Sequence, residues 1–260
     1  MFVMRRILIL GYGFLSYLLF FGTFCYSIGF LGNLFVPKSI DLPAATGSPV
    51  TAVLLNLALL SVFAVQHTGM ARPAFKRWWT RVVPAEIERS TYVLLSTLAL
   101  WLLYSGWRPI AGTVWTTQAG SAAHTVLTAV FLGGFGLVLY ATLLISHFDL
   151  FGLRQVWLYA RGFEYTHLPF DTPALYKHVR HPLYVGWFIA FWATPEMSFG
   201  HLMFAAACTA YILVAVIFEE RDLVLHFGSR YARYKDQVPA FIPRLGHRGA
   251  TTDPATSTGD

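Results

Sequence analysis

Charge is scarce in this chain. Only 12% of its 260 residues are Asp, Glu, Lys or Arg, against roughly 25% in a soluble globular domain. With 56% hydrophobic residues and a mean hydropathy of +0.54, that shortage excludes an ordinary soluble domain and points to an integral membrane protein. Cysteine is scarcer still. Cys25 and Cys208 are the only two, both in apolar runs and far apart. No disulfide framework or cysteine-based zinc site can be read from them, and each reads as a small buried apolar side chain. A strand-preceded glycine loop is also missing. Gly11 with Gly13, and Gly133 and Gly134 with Gly136, lie inside apolar stretches. That excludes a dinucleotide fingerprint and suits close helix packing. No repeat of fixed period is present. Nothing alternates at period two, so only helices remain as spanning elements.

The chain does have long apolar runs. Crossing the hydrocarbon takes about 20 residues of helix. Six segments approach this: within Ile7–Leu34, then Val50–Gln66, Thr91–Trp107, Ala123–Ser146, Leu183–Ala193 and Met197–Phe218. The fifth is short, and Thr194, Pro195 and Glu196 alone separate it from the sixth, which predicts a tight helical hairpin. The first run is too long for a signal-peptide core and no small-residue cleavage site follows it, so it reads as an uncleaved span.

Basic residues exceed acidic ones by 19 to 13. In a soluble protein that would raise nucleic acid as a partner. Here the excess follows the loops: Arg5 and Arg6; Arg72, Lys76, Arg77, Arg81 and Arg89; Arg154, Arg161, Lys177 and Arg180; Arg221, Arg230, Arg233, Lys235 and Arg244. The other loops hold little beyond Lys38 and Arg108. One side is therefore basic, and should be cytoplasmic. The partner is the lipid bilayer, with no nucleic acid expected. The architecture expected is an all-α integral membrane protein of five to six transmembrane helices, with a C-terminal helical hairpin and cytoplasmic cofactor-binding segments. Residues 1–146 would hold the first four spans and 147–245 the cofactor segment and hairpin. The small polar stretch 246–260 reads as a disordered tail.

The densest chemistry joins "RHPLYVG", Arg180 to Gly186, to "FEERDL", Phe218 to Leu223. Pro182 suits a first helical turn, and the N–H groups beyond it form an anion-binding helix end. The hairpin should return Glu219 and Glu220, at the end of the sixth helix, to the level of His181. Opposite charges then face one another, an arrangement suited to a zwitterion whose positive centre meets carboxylates and aromatic faces such as Tyr184, Trp187, Tyr231 or Tyr234. The bland alternative is a set of ion pairs anchoring two helix ends. His178 and His181 make an H-x-x-H, yet the nine histidines are scattered, and no metal is expected.

"LYKHVRHPLYVGWF", followed by "EERDLVLHFGSRYARYKDQVPAFIP", resembles the cofactor-binding core of the isoprenylcysteine carboxyl methyltransferase and phospholipid methyltransferase superfamily. The resemblance implies an S-adenosyl-L-methionine site built from Arg180, His181, Pro182, Tyr184, Glu219 and Glu220, extended to Tyr176, His178, Gly186, Tyr231 and Tyr234. "QHTGMARPAFKRWWTRVVPAEIERSTYVL" and "ISHFDLFGLRQVWLY" are similar to the bacterial NnrU-like branch and its thiol methyltransferases, which implies a small thiol, methanethiol, as acceptor. Methylation of a lipid or isoprenylcysteine-type substrate, or a non-catalytic NnrU-like membrane protein, are the alternatives.

Thiol methylation is an in-line displacement that needs alignment and a thiolate. A neighbouring sulfonium would lower the thiol pKa, so a base is helpful, not obligatory. The candidates are His147, which Asp149 would orient, and His67. Trp157, Phe151 and Trp79 are candidate walls of a dry pocket, or an interfacial aromatic belt.

Overall fold

The computed structural model describes residues 2–244; the tail expected to be disordered lies outside the described residues. In chain order the elements are α1 (Phe2–Gly32), α2 (Pro49–Ala71), α3 (Pro73–Trp79), α4 (Ala85–Gly106), β1 (Thr113–Thr116) and α5 (Ala122–Leu144). Then come α6 (His147–Leu150), α7 (Leu153–Arg161), a 3-10 turn (Ala174–Lys177), α8 (Pro182–Trp192), β2 (Glu196–Ser198), α9 (Phe199–Phe227) and α10 (Ser229–Gln237). The protein is an all-α membrane protein. α1, α2, α5 and α9 are long and apolar enough to cross a bilayer. They turn large side chains outward, among them Leu8, Leu54, Leu132 and Ile217, because lipid rather than water is the solvent there.

α4, with 22 residues, is long enough but more polar. Its polar groups point at its neighbours α1 and α2, where they find partners. Thr91 meets the Tyr12 hydroxyl at 3.0 Å, Ser96 accepts from Gln66 at 3.2 Å, and Tyr104 meets Ser27 at 2.6 Å. Interhelical hydrogen bonds of this kind are how polar side chains are tolerated at membrane depth.

α8 is the short leg. Its 11 residues rise only about 16 Å, half of the roughly 30 Å hydrocarbon core. It is held against α5 where glycines let the backbones touch. A Cβ on Gly134 would lie 2.6 Å from the Ala190 nitrogen, and one on Gly186 would lie 2.8 Å from the Gly134 oxygen. Gly13 similarly admits Val156 of α7, whereas Gly11, Gly133 and Gly136 touch nothing this way. Close packing thus explains two of the five glycines singled out from sequence.

Three further expectations are corrected. A small antiparallel ladder exists: β1 pairs with β2, at the end of the bundle opposite the basic loops, where edge amides need not face lipid. Its presence moves the start of the sixth helix from Met197, now in β2, to Phe199. That helix also continues past Phe218 to Phe227, because "EERDLVLHF" is a strong helix-forming run with no breaker before Gly228. Cys25, finally, is exposed and Cys208 half-buried, both free; an outward apolar cysteine is at no disadvantage in lipid.

Candidate active site at the basic end of the hairpin

α9 carries Glu219 and Glu220 about 30 Å along from its first residue, one hydrocarbon thickness. α8 starts beside them. The two glutamates are adjacent in sequence but have different surroundings, since successive residues of a helix point about a quarter-turn apart.

Glu220 is buried, 6% exposed, and surrounded by cations. Its Oε1 accepts from Arg180 Nε at 2.7 Å, from Arg180 Nη2 at 2.6 Å and from His181 Nε2 at 3.0 Å. Its Oε2 meets Lys235 Nζ at 2.9 Å. A carboxylate only accepts, so His181 must carry its proton on Nε2. All three Arg180 nitrogens are engaged. Its remaining nitrogen donates to the Lys235 carbonyl at 2.9 Å and to the Val238 carbonyl. Backbone bonds from Arg180 to Pro239, 2.9 Å, and from His181 to Ala240, 3.0 Å, then lay the segment after α10 across the start of α8, with Phe241 over the His181 ring. Arg180 therefore clamps α8, α9 and the C-terminal segment together, and is not a free donor awaiting an anion.

Glu219 is only half-buried. The Tyr184 hydroxyl donates to its Oε2 at 2.7 Å, and its other oxygen has no hydrogen-bond partner among the described residues. Burial and the Glu219 charge together raise the phenol pKa of Tyr176. The same happens to Tyr231, where Glu220 adds to it. Tyr231 and Tyr234 are buried on α10 against Phe170, and burial is also the main cause that raises Tyr234. The Tyr234 hydroxyl donates to the Tyr176 carbonyl at 2.6 Å.

Most residues singled out from sequence thus converge here: Tyr176, Arg180, His181, Pro182, Tyr184, Glu219, Glu220, Tyr231 and Tyr234. Two do not. His178 is exposed and its side chain has no hydrogen-bond partner among the described residues; it and the buried His181 look different ways, and no group of three metal-ligating side chains occurs among the described residues. Gly186 serves the α5 contact. Lys235 is a partner the sequence reading missed. The signal available was the pair of adjacent glutamates at a helix end, which needs more cation than one arginine supplies.

The candidate bases lie apart from this cluster. His67 sits between α2 and α4, near Ser96 Oγ at 3.2 Å and the Tyr92 hydroxyl at 3.1 Å. His147 is 4% exposed at the start of α6, and burial lowers its pKa. Asp149 does not orient it. That carboxylate instead pairs with Arg154 at 3.1 Å and accepts from Tyr165 at 3.3 Å, because α6 is a single turn that turns residue 149 toward α7. His147 bonds to Thr142 at 2.8 Å and to Tyr17 at 2.9 Å. Of the aromatic walls, Phe151 and Trp79 pack with Met70, Tyr92 and Phe20. Trp157 is 53% exposed under the Arg161 guanidinium and walls nothing.

Two cavities lie at the other end of the bundle. One of about 230 Å³ is lined by His124, Thr194 and Glu196. The other, of about 490 Å³, is lined by Asp41, Gly112 and Ser198. Neither adjoins the glutamates.

No protein-family model matches the chain. No solved structure matches it either. Named relatives do. A methanethiol S-methyltransferase of Crocosphaera subtropica is 50% identical over 94% of this chain and 95% of its own length. Methanethiol S-methyltransferase 2 of Bradyrhizobium diazoefficiens is 53% identical over 95% of both. Nurim of Rattus norvegicus is 29% identical over 68% of this chain and 70% of its own. At half of all positions shared along nearly the full length, the chain belongs to the methanethiol S-methyltransferase family.

Proposed function

We propose that the chain methylates methanethiol to dimethyl sulfide, drawing the methyl group from S-adenosyl-L-methionine bound at the basic end of the α8–α9 hairpin, on the cytoplasmic face of the inner membrane. The observation that carries this reading is the pair of glutamates, one neutralised and one left open. Glu220 is saturated by Arg180, His181 and Lys235 and holds the site's walls together. Glu219 keeps one unbonded oxygen while Tyr184 donates to the other, and its charge also acts on Tyr176 and Tyr231.

The residues fit the donor. A sulfonium is attracted by a carboxylate and by phenol faces, so Glu219 with Tyr184, Tyr176 and Tyr231 would hold the positive centre. Lys235, whose side chain is 45% exposed, would meet the carboxylate of the amino-acid part. When bound, the sulfonium supplies an electrophilic methyl carbon. The chain's own tasks are to hold the acceptor in line, to keep water out, and to accept the thiol proton. Phe170 packs on Tyr231 and Tyr234 and Phe241 on the His181 ring, apolar faces that would help to exclude water.

The test is direct. Purified protein in detergent, given methyl-labelled S-adenosyl-L-methionine and methanethiol, is expected to release labelled dimethyl sulfide. Label found only in lipid would overturn the acceptor. Calorimetry showing no donor binding would overturn the reading altogether.

A further inference from the structure

The hydrogen bonds at His147 fix more than its position. Thr142 Oγ1 donates to the Leu139 carbonyl at 2.7 Å, since a carbonyl only accepts. A hydroxyl has a single proton, so toward His147 Nδ1, 2.8 Å away, Thr142 must accept. His147 therefore carries its proton on Nδ1. Its Nε2 lone pair then accepts from the Tyr17 hydroxyl, at 2.9 Å. Both ring nitrogens are occupied, and the imidazole is buried. A substrate thiol cannot reach it. Tyr17 is only half-buried and keeps the lone pairs of its oxygen.

We propose that Tyr17 is the residue that meets the acceptor thiol, and that His147 takes up the thiol proton through it. The inference rests on the methyl-transfer reading above. The proton balance is simple. The S–H proton passes to the Tyr17 oxygen as the Tyr17 proton passes to His147 Nε2. Tyr17 is regenerated and His147 becomes an imidazolium. The sulfur's freed electron pair forms the bond to the methyl carbon, and the donor sulfur keeps the pair of the bond that breaks and loses its positive charge. After product leaves, the imidazolium returns its proton through the Tyr17 hydroxyl, the reverse of the same relay.

The surroundings of Tyr17 suit a small apolar sulfur compound. Phe20 and Phe21 lie with ring centroids 6.2 Å from it, and Phe148 and Phe151 at 6.4 Å; sulfur packs well against aromatic rings. Two links tie this aromatic cluster to the hairpin site. Phe24, one turn beyond Phe20, reaches Trp187 at 6.2 Å, and Trp187 follows Tyr184 by one turn of α8. The Tyr176 hydroxyl donates to the Ala141 carbonyl at 3.4 Å, beside the Thr142 that holds His147.

Tyr17→Phe keeps the ring and removes the relay. With methanethiol its kcat/KM is expected to fall at least tenfold, with donor affinity by calorimetry unchanged. Trifluoroethanethiol, an acidic small thiol, needs little help in ionising, so the defect with it should shrink to about twofold. His147→Gln should show the same dependence on thiol acidity, and serves as the second variant should Tyr17→Phe not fold. Equal losses with both thiols would make Tyr17 a packing residue and overturn the proposal, as would full activity in Tyr17→Phe. Wild-type protein that binds donor yet makes no dimethyl sulfide would instead sink the underlying reading.

Discussion

The two ends of the α8–α9 hairpin are closed by different physics. At the far end the closure rests on hydrogen bonds. β2 pairs with β1, the Trp115 indole donates to the Thr194 carbonyl at 3.0 Å, and Ser198 caps α9 by accepting from the His201 amide at 3.0 Å. At the basic end it is ionic. One buried carboxylate holds two formal cations and a histidine. A structural stop needs only hydrogen bonds such as these. Buried charge is a poor source of stability, because desolvation offsets much of the attraction. Its concentration at one end is better explained by a ligand that is itself charged.

The sharpest way to break this contrast is Glu220→Ala. It strands Arg180, His181 and Lys235 without their partner, and uncompensated buried charge costs about 3–5 kcal/mol. Thermal melts in detergent should show a large loss, with donor binding abolished. Next comes Tyr184→Phe, which removes the phenol donated to Glu219. A hydrogen bond to a charged group contributes about 1.5–3 kcal/mol, so donor affinity should fall about tenfold or more by calorimetry while the fold survives. Ser198→Ala tests the far end. Loss of the cap should destabilise by about 1 kcal/mol and leave donor affinity unchanged; a change in affinity would mean the two ends are coupled.

The smallest effect concerns acidity. Burial holds the His147 pKa below its usual value of about 6.5. Its neutral form is favoured in the fold, so the unfolded chain binds more protons below that pH. The stability involved is complete above about pH 6.5 and is lost as pH falls toward the lower folded value. Melting temperature should therefore drop on acidification in wild type, and the slope should be shallower in His147→Gln.

Much of the site was legible because it is local in sequence. Arg180, His181 and Pro182 open α8, Glu219 and Glu220 share one helix, and a short turn between the two forces them together. The failures were of another kind. Asp149 looked like a partner for His147 at two residues' distance, but a single-turn helix sends the two side chains apart. The ladder of β1 with β2 joins strands far apart in sequence and too short to show a period. Lys235 and Tyr17 reach their partners from other helices, and nothing near either one announces it.

Composition and apolar run length determined that this chain lies in a bilayer as helices, and which ends are basic. Those are properties of the solvent, and the solvent acts on each segment separately. Only the tertiary structure decided that Arg180 is spent on Glu220 while Glu219 stays open, and that Tyr17 of α1 bonds His147 of α6. Those facts depend on which faces of distant helices meet, and the close approach of α5 to α8 at Gly134 and Gly186 sets where α8 begins against the two glutamates of α9.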